Sequence, residues 1–247
     1  MKKIWLIGAS EGIGRALAID LSKKGYFLYI SARNIERLHE LTKELGKNSI
    51  PIPLDVSDLK SVKKAYLQIK KDGGIDTLIY GAGIYKPMSA TNIDIEICEQ
   101  MVDINLTGAI RVLSNIIPDF IRNKNGHIAL IGSVASYIGL PNSFGYGCSK
   151  AGLLHLAENL KCDLEDKNIK IQIINPGFVQ TRLTNMNDFY MPSIISPEKA
   201  SNYIVDILHS NKFDSRFPFL FPNFIKIISN LPYFLYFAIA KIIKPKK

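Results

Sequence analysis

The sequence predicts a single α/β domain in which helices flank a doubly wound parallel sheet. Two observations support this fold class. Apolar runs alternate with amphipathic stretches over most of the 247 residues, which is typical of parallel strands joined by helices. The chain is also 47% hydrophobic and shows no internal repeat or low-complexity stretch, so it can bury one large core.

The elements follow from the length and period of the apolar pattern. Short apolar runs predict strands, and longer stretches with apolar residues at every third or fourth position predict helices. In chain order, the predicted strands are 2–7, 27–31, 50–54, 77–80, 127–131 and 169–174. The predicted helices are 15–24, 35–45, 59–70, 93–120 and 147–166. In such a sheet we expect ligands at the carboxyl ends of the strands.

A turn with three glycines, Gly8, Gly12 and Gly14, joins the first strand to the first helix. Glycines let such a turn close tightly and let the backbone approach a pyrophosphate, which the N–H groups at the helix start would bind. The G-x-x-x-G-x-G spacing differs from the G-x-G-x-x-G fingerprint, and an ordinary glycine-rich turn has the same composition. The position at the first strand-to-helix junction favours a dinucleotide site.

Tyr146 and Lys150 are four residues apart and would share one face of a helix. A free tyrosine titrates near ~10, and a neighbouring cation favours its phenolate form, so the pair suits proton transfer to a carbonyl. An ordinary amphipathic helix also places tyrosine and lysine at this spacing. The glycine turn upstream favours the catalytic interpretation.

The two features together resemble the short-chain dehydrogenase/reductase family, in the compact subfamily that uses G-x-x-x-G-x-G. Further matches follow in the family's order over residues 2 to about 209: Asp55-Val56, Gly81-Ala82-Gly83, Asn105, Ser133 and 175–181. The resemblance implies a Rossmann-like fold and NAD(P)-dependent interconversion of a carbonyl and a secondary alcohol. One motif departs from the family pattern. Tyr80-Gly81 stands where the family commonly has two asparagines, so side-chain hydrogen bonds that brace the sheet are expected to be lost.

Four catalytic residues are implied by the resemblance. Tyr146 would protonate the alkoxide as hydride arrives, while Lys150 would bind the nicotinamide ribose and lower the pKa of Tyr146. Ser133 would donate a hydrogen bond to the substrate carbonyl. Asn105 would hold a water that connects Lys150 to solvent. Taken singly, Ser133 and Asn105 are also ordinary polar residues of a strand end and a core.

The cofactor preference rests on the end of the second predicted strand. A carboxylate at this position binds the 2′-hydroxyl of NAD, whereas a 2′-phosphate requires a cation. Arg33 stands here, and no acidic residue follows before Glu36, which favours NADP(H), with NAD(H) possible. A solvated surface arginine would look the same.

The resemblance assigns the other cofactor contacts. Asp55 would accept from the adenine amino group, with Val56 against the ring, and Thr181 would contact the nicotinamide carboxamide. Asp55 could equally be a turn residue and Thr181 a cap. The full predicted set is Gly8, Ser10, Gly12, Ile13, Gly14, Arg33, Asp55, Val56, Ala82, Gly83, Asn105, Tyr146, Lys150, Pro176, Gly177, Val179 and Thr181.

Residues 182–196 follow Thr181 and are expected to form a mobile lid over the substrate. Their mixed apolar composition favours an apolar or lipid-like substrate, although any long connection could have this composition. Two other functions share some of these motifs. One is a nucleotide-sensing NADP(H)-binding protein without turnover, and the other is a sugar-nucleotide epimerase or dehydratase.

Composition indicates a cytoplasmic protein without a metal. Three cysteines are an odd number without metal-like spacing, which favours a reducing compartment, and the start of the chain leaves no room for a signal peptide. The four histidines show no metal-ligand spacing. The basic residues form no recognisable nucleic-acid motif, so no nucleic-acid partner is expected.

The chain is expected to divide into a dinucleotide-binding and catalytic domain, 1–210, and an apolar, basic extension, 211–247. The extension has seven basic residues, one acid and nine aromatics, and its apolar runs are too short to span a bilayer. Aromatics beside lysines suit peripheral contact with an anionic membrane. The alternatives are packing on the enzyme's own core or pairing of subunits. A homodimer through the helices after Asn105 and Ser133 is also expected.

Overall fold

The computed structural model describes residues 1–243 and shows the predicted class of fold, a parallel sheet with helices on both faces. The strands are β1 (Lys3–Ile7), β2 (Phe27–Ala32), β3 (Ser49–Pro53), β4 (Thr77–Tyr80), β5 (Gly126–Ile131), β6 (Ile169–Pro176) and β7 (Asp214–Phe217). The helices are α1 (Gly12–Lys23), α2 (Ile35–Leu45), α3 (Leu59–Lys71), α4 (Ile95–Val102), α5 (Gly108–Asn123), α6 (Phe144–Leu164), α7 (Pro197–His209), α8 (Leu220–Ile228) and α9 (Tyr233–Ile243).

The strand order is β3-β2-β1-β4-β5-β6-β7, and every neighbouring pair is parallel. The chain builds outward from β1 to β3 and then continues on the other side of β1 with β4. This change of direction opens a crevice between the carboxyl ends of β1 and β4, which is where doubly wound sheets bind ligands. The glycine turn after β1 and Gly81-Ala82-Gly83 after β4 flank this crevice.

Alternation along the strands creates two apolar layers. Trp5 and Ile7 of β1 face the layer formed with α3, α5 and α6, whereas Ile4 and Leu6 face the layer formed with α1, α2 and α7. The strands between the edge strands β3 and β7 are largely buried on both faces, as expected for a parallel sheet covered by helices. The core therefore holds the strand ends rigidly, and the loops that follow them can form a precise site.

Most predicted elements agree with the structure to within a few residues at their ends, and β4 and α2 have the predicted bounds. The single helix predicted over 93–120 is wrong. Asp94 caps α4 by accepting a hydrogen bond from the Ile97 N–H, and a π-helical turn at Asp103–Thr107 separates α4 from α5. Apolar periodicity continues through this turn, so the sequence pattern does not reveal the change in backbone hydrogen bonding.

The sequence did not predict β7, which lies within the expected extension. Its four residues include Asp214 and Arg216, so it has no apolar run, but Ser215 and Phe217 alternate as buried residues. The N–H of Ile173 donates to the Phe213 carbonyl, and that of Gly177 donates to the Phe217 carbonyl. The sheet thus continues beyond residue 210, and the part of the extension outside the sheet begins after Phe217. No helix within residues 1–243 has the length and apolar character needed to cross a bilayer.

Candidate active site

The glycine turn brings the backbone of β1, α1 and the loop after β4 into close contact. Gly8 has a φ of 90°, and a Cβ there would lie 2.7 Å from the Gly81 carbonyl. A Cβ at Gly14 would lie 2.0 Å from the Gly8 carbonyl oxygen. Glu11, the cap residue of α1, makes no side-chain cap hydrogen bond, so the first N–H groups of this helix have no side-chain partner from it. A helix start of this kind binds phosphate.

A cleft of about 640 Å³ lies along the carboxyl ends of the strands, within the size range of ligand sites in proteins. It extends from the end of β2, across the glycine turn, to the loops after β4 and β6. The predicted cofactor residues that line it are Gly8, Ser10, Gly12, Ile13, Gly14, Arg33, Asp55, Val56, Ala82, Gly83 and Thr181.

The other predicted cofactor residues lie outside the lining of this cleft. Asn105 and Lys150 adjoin it through Gly83, where a Cβ would lie 3.2 Å from Asn105 Oδ1 and 3.7 Å from Lys150 Nζ. Val179 is buried in the core, and its carbonyl accepts a hydrogen bond from Thr184. The remaining three are Tyr146, Pro176 and Gly177.

Charged residues concentrate at the β2 end of the cleft. Arg33 is joined there by Arg37 and Arg182, and the carboxylates in the lining are Glu11 and Asp55. Glu11 accepts hydrogen bonds from Arg182 Nε at 2.9 Å and Nη2 at 2.7 Å, and from Arg37 Nη1 at 2.8 Å. The hydrogen bond from Arg182 contributes most to holding the pKa of Glu11 below its usual range. The lining therefore carries a net positive charge.

Sequence reasoning missed Glu11, Arg37 and Arg182. Arg37 lies one helical turn after Arg33 at the start of α2, which is a signal that the sequence offered. The pair of Glu11 with Arg182 gave none, because 171 residues separate them. Asp55 lines the cleft as predicted, and its Oδ1 also accepts from Ser57, so the turn role left open by the sequence is present.

Tyr146 and Lys150 lie on α6, where Lys150 Nζ is 5.8 Å from the centroid of the Tyr146 ring. Burial raises the pKa of Tyr146 above its usual range, and the nearby Ser133 hydroxyl opposes this rise. The sequence predicted a pKa lowered by Lys150, whereas burial is the largest influence and the pKa is raised. The ammonium donates to the Ile131 carbonyl at 2.8 Å, and its own burial lowers the pKa of Lys150 to about 8. At neutral pH the pair is a neutral phenol beside a cation.

Asn105 lies in the π-helical turn and is fully buried. Its Oδ1 accepts from the Ile84 N–H at 2.8 Å, and its Nδ2 donates to the Ile84 carbonyl at 3.0 Å and to Ser149 Oγ at 2.9 Å. Ser149 in turn donates to the Tyr146 carbonyl. Asn105 thus joins the loop after β4 to the turn that carries Tyr146. Both Nδ2 protons are used, so a water could bind this residue only through one of its oxygens.

Asn175, at the end of β6, positions the Ser133 loop. Its Oδ1 accepts from the Ser133 N–H at 3.0 Å and from Ser136 Oγ at 3.1 Å, while its Nδ2 donates to Tyr137 Oη and Asp214 Oδ1. Sequence reasoning placed Asn175 in a family motif without giving it a role. Its partners lie in the loop after β5 and on β7, and no local sequence pattern links these segments to Asn175.

Tyr80 compensates for one lost asparagine. Its ring is fully buried, and its hydroxyl donates to the Ile104 carbonyl at 2.5 Å, directly before Asn105. This bond ties β4 to the π-helical turn. The expected loss of bracing hydrogen bonds is therefore offset at this position by a tyrosine.

The lid segment lies beside the predicted acid. Tyr85 packs edge-on against Tyr146, with 4.9 Å between ring centroids, and donates to Asn187 Oδ1 at 2.7 Å. Phe189 packs against Phe178, with 6.0 Å between centroids. The N–H of Ile195 donates to the Phe178 carbonyl, which fixes the far end of the segment. These contacts place aromatic side chains beside the lid, while lid movement stays a prediction.

Comparison with known proteins agrees with this geometry. The profile of the short chain dehydrogenase family matches residues 2–189. The chain is 33% identical over 191 residues to a 3-oxoacyl-(acyl-carrier-protein) reductase of Buchnera aphidicola, which covers 76% of this chain and 78% of that protein. The chain therefore belongs to the short-chain dehydrogenase/reductase family and is an oxidoreductase that uses a nicotinamide dinucleotide.

Solved structures show the same fold. A short-chain dehydrogenase from Sphingobium yanoikuyae in complex with NADPH has a TM-score of 0.81 at 22% identity, over 87% of each chain. The closed form of a serine dehydrogenase complexed with NADP+ has a TM-score of 0.81 at 25% identity, over 87% of this chain and 93% of that one. The predicted family and the Rossmann-like fold are thereby confirmed.

Proposed function

We propose that this enzyme is NADP(H)-dependent and interconverts an apolar or lipid-like carbonyl compound and its secondary alcohol. The observation that carries the proposal is the arrangement of Tyr146, Lys150 and Ser133 where α6 and the loop after β5 meet the dinucleotide cleft. The Ser133 hydroxyl acts on the pKa of Tyr146, and the Lys150 ammonium lies 5.8 Å from the centroid of the Tyr146 ring. An acid, a carbonyl-binding hydroxyl and a cation are the groups that reduction of a ketone requires.

The residues have separate tasks in this reaction. Bound NADPH supplies the hydride. Ser133 donates a hydrogen bond to the carbonyl oxygen, and Tyr146 delivers the proton as the alkoxide forms. A raised pKa keeps Tyr146 protonated at neutral pH, which suits this direction of the reaction. Lys150 holds the nicotinamide ribose and stabilises the phenolate that remains, and Asn105 keeps the loop after β4 aligned with α6.

The preference for NADP(H) is supported by the arginines at the β2 end of the cleft. Arg33 and Arg37 lie where the 2′-phosphate of the adenosine is expected, and a planar guanidinium suits bidentate binding of phosphate. Glu11 also lies in this region, but two arginines pair with it. A serine dehydrogenase of the same fold was solved with NADP+.

The apolar substrate is supported by the aromatic side chains around the proposed acid. Tyr85 contacts Tyr146, and Phe178 and Phe189 pack together at the lid. The Buchnera relative is named for action on 3-oxoacyl chains, which are apolar carbonyl compounds. Rings of this kind would exclude water from the substrate carbonyl. The shape of the pocket would then select which substrate chain binds.

The test is loss of NADPH absorbance with ketones of increasing apolar length, repeated with NADH. We expect oxidation of NADPH, faster with longer ketones, and little oxidation in Tyr146→Phe. A nucleotide-sensing protein would bind NADPH but would not oxidise it with any substrate. A sugar-nucleotide epimerase would convert its substrate without net NADPH consumption. Either result would remove the carbonyl reductase assignment.

We also propose that the enzyme forms a homodimer through α5 and α6. We further propose that it is cytoplasmic and that its extension contacts an anionic membrane. Ile110 and Ile121 of α5 and Phe144 of α6 are large apolar side chains that are exposed in the single chain. Sedimentation equilibrium of the wild type and of Ile110→Gln tests the dimer. An unchanged monomer mass in the wild type would exclude it.

A further inference from the structure

The C-terminal helices expose an unusual number of large apolar side chains. Phe219 and Tyr233 are 77% and 75% exposed, and Phe234 is 73% exposed. We call the following set the apolar C-terminal face: Phe219, Leu220, Phe224, Ile227, Tyr233, Phe234, Leu235 and Phe237. Large apolar side chains exposed in such number on two consecutive helices indicate an interaction surface.

Packing accounts for only one side of α8. Pro222, Ile225 and Ile228 are buried against the domain, whereas Leu220, Phe224 and Ile227, at i, i+4 and i+7, are exposed along another side. Polar residues are expected on the solvent side of a surface helix. Since α8 is apolar on both sides, the exposed side needs a partner other than water.

The same division holds for α9. Tyr236 is buried and its hydroxyl donates to the Gly139 carbonyl, which anchors the helix to the loop before α6. Tyr233 and Phe237 stack on each other, with 5.9 Å between ring centroids, and both are exposed. The anchored helix thus presents aromatic rings outward. Tyrosine and phenylalanine rings beside lysine are typical of the headgroup boundary of a bilayer.

Charge favours an anionic lipid surface over a second copy of the chain. Residues 219–247 contain five lysines and no acidic residue. Lys226 and Lys241 lie within the described residues, while Lys244, Lys246 and Lys247 lie outside them. Lys226 Nζ lies 3.9 Å from Asp214 Oδ2, but two copies meeting through this segment would face each other with a net positive charge, since residues 219–247 supply no carboxylate. Lysines near an anionic bilayer add electrostatic attraction.

The apolar C-terminal face adjoins the substrate side of the site. Phe221 of α8 stacks on Phe178, with 5.2 Å between ring centroids, and Phe178 contacts Phe189 of the lid. Lys226 Nζ lies 4.3 Å from the ring centroid of Tyr137, in the loop that Ser133 begins. Through these contacts α8 is linked both to the lid and to the Ser133 loop.

We infer that the substrate entrance opens onto this face, and that the enzyme takes its apolar carbonyl substrate directly from an anionic bilayer. This inference rests on the proposed carbonyl reductase function and names the source of its substrate. An apolar chain that moved from lipid to the site along Phe221, Phe178 and Phe189 would avoid transfer through water. Each methylene of the chain would otherwise add to the free-energy cost of transfer from lipid into water.

The test compares a paired variant with a matched control. Phe224→Gln/Ile227→Gln changes two exposed residues of the face, whereas Leu59→Gln/Leu67→Gln changes two exposed residues of α3. Each full-length protein is sedimented with phosphatidylcholine vesicles with and without phosphatidylglycerol. Each is then assayed with NADPH and either cyclohexanone in solution or methyl pentadecyl ketone dissolved in the vesicles.

We expect the wild type and the α3 control to bind the phosphatidylglycerol vesicles, and the paired variant to bind at least about tenfold more weakly. Reduction of methyl pentadecyl ketone should fall in parallel, with reduction of cyclohexanone unchanged. Equal vesicle binding by the paired variant, or equal reduction of methyl pentadecyl ketone despite weaker binding, would overturn the inference. So would a wild-type oligomer that the paired variant dissociates, because the face would then join two copies.

Failure of the underlying function gives a different result. If neither ketone is reduced while vesicle binding persists, the proposed reductase function fails, and the substrate route fails with it. If cyclohexanone is reduced and no vesicle binding occurs, the reductase function stands and only the membrane route is lost.

Discussion

The charge on Lys150 is expected to set an upper pH limit on cofactor binding. Burial lowers the pKa of this ammonium to about 8, so Lys150 is a cation at neutral pH and loses its charge as the pH rises through that value. We propose that the ammonium holds the nicotinamide ribose. The affinity for NADPH should therefore be constant on the acidic side of the pKa and fall on the alkaline side.

The size of the expected loss in NADPH affinity follows from the difference between a charged and a neutral hydrogen-bond donor. A hydrogen bond to a charged group contributes roughly 1.5–3 kcal/mol and a neutral one roughly 0.5–1.5 kcal/mol. A difference of ~1.4 kcal/mol corresponds to about a tenfold change in affinity. Because the Ile131 carbonyl keeps the Nζ atom in place in either protonation state, the loss should stop near this factor.

The assay is a titration of protein into NADPH, followed by NADPH fluorescence, at constant ionic strength between about pH 7 and 9.5. The matched control is Lys150→Arg, whose guanidinium stays charged over this range. Its affinity for NADPH should not vary with pH, whatever its absolute value. Equal wild-type affinity at both ends of the range, or the same decline in Lys150→Arg, would refute the assignment of this ionisation to Lys150.

Three substitutions test the other assignments. Tyr146→Phe should bind NADPH normally and lose turnover by a factor on the order of 10² to 10⁴, and near-normal turnover would remove Tyr146 from the mechanism. Arg33→Ala should weaken the binding of NADPH by about 1.5 to 3 kcal/mol in binding titrations and leave the binding of NADH nearly unchanged. Equal losses of affinity for the two cofactors would argue against a 2′-phosphate contact. Glu11→Gln should release Arg37 and raise the affinity for NADPH by up to about fivefold, which corresponds to ~1 kcal/mol of binding free energy. Weaker binding of NADPH in that variant would show that Glu11 positions the arginine.

The sequence predicted the fold wherever burial leaves a local pattern. Strands β1, β2, β4, β5 and β6 are largely buried on both faces and appear as apolar runs, as does the edge strand β3, so their positions could be identified directly. The failures have physical causes. Strand β7 is an edge strand of four residues that derives its order from pairing with β6, and the π-helical turn keeps helical periodicity while changing the hydrogen bonds.

Residues of the candidate site could be predicted where a residue type at a fixed spacing in the sequence indicates one function. The glycines of the turn, Tyr146 and Lys150 are of this kind. Contacts between distant segments were beyond sequence reasoning, because no local pattern records them. Asn175 reaches both Ser133 and Asp214, and Glu11 reaches Arg182, only after the sheet has formed.

The strand order predicts that cofactor binding and proton transfer can be changed separately in this enzyme. The arginines proposed to bind the 2′-phosphate follow β2, on one side of β1, whereas Ser133 and Lys150 lie with β5, on the other side. A dinucleotide that reaches both groups must cross the crevice between β1 and β4, over the glycine turn. Gly8 lets the loops after β1 and β4 pack closely at this crevice, because a side chain at Gly8 would collide with the Gly81 backbone. A change at Arg33 should then alter affinity without moving the groups that transfer the proton.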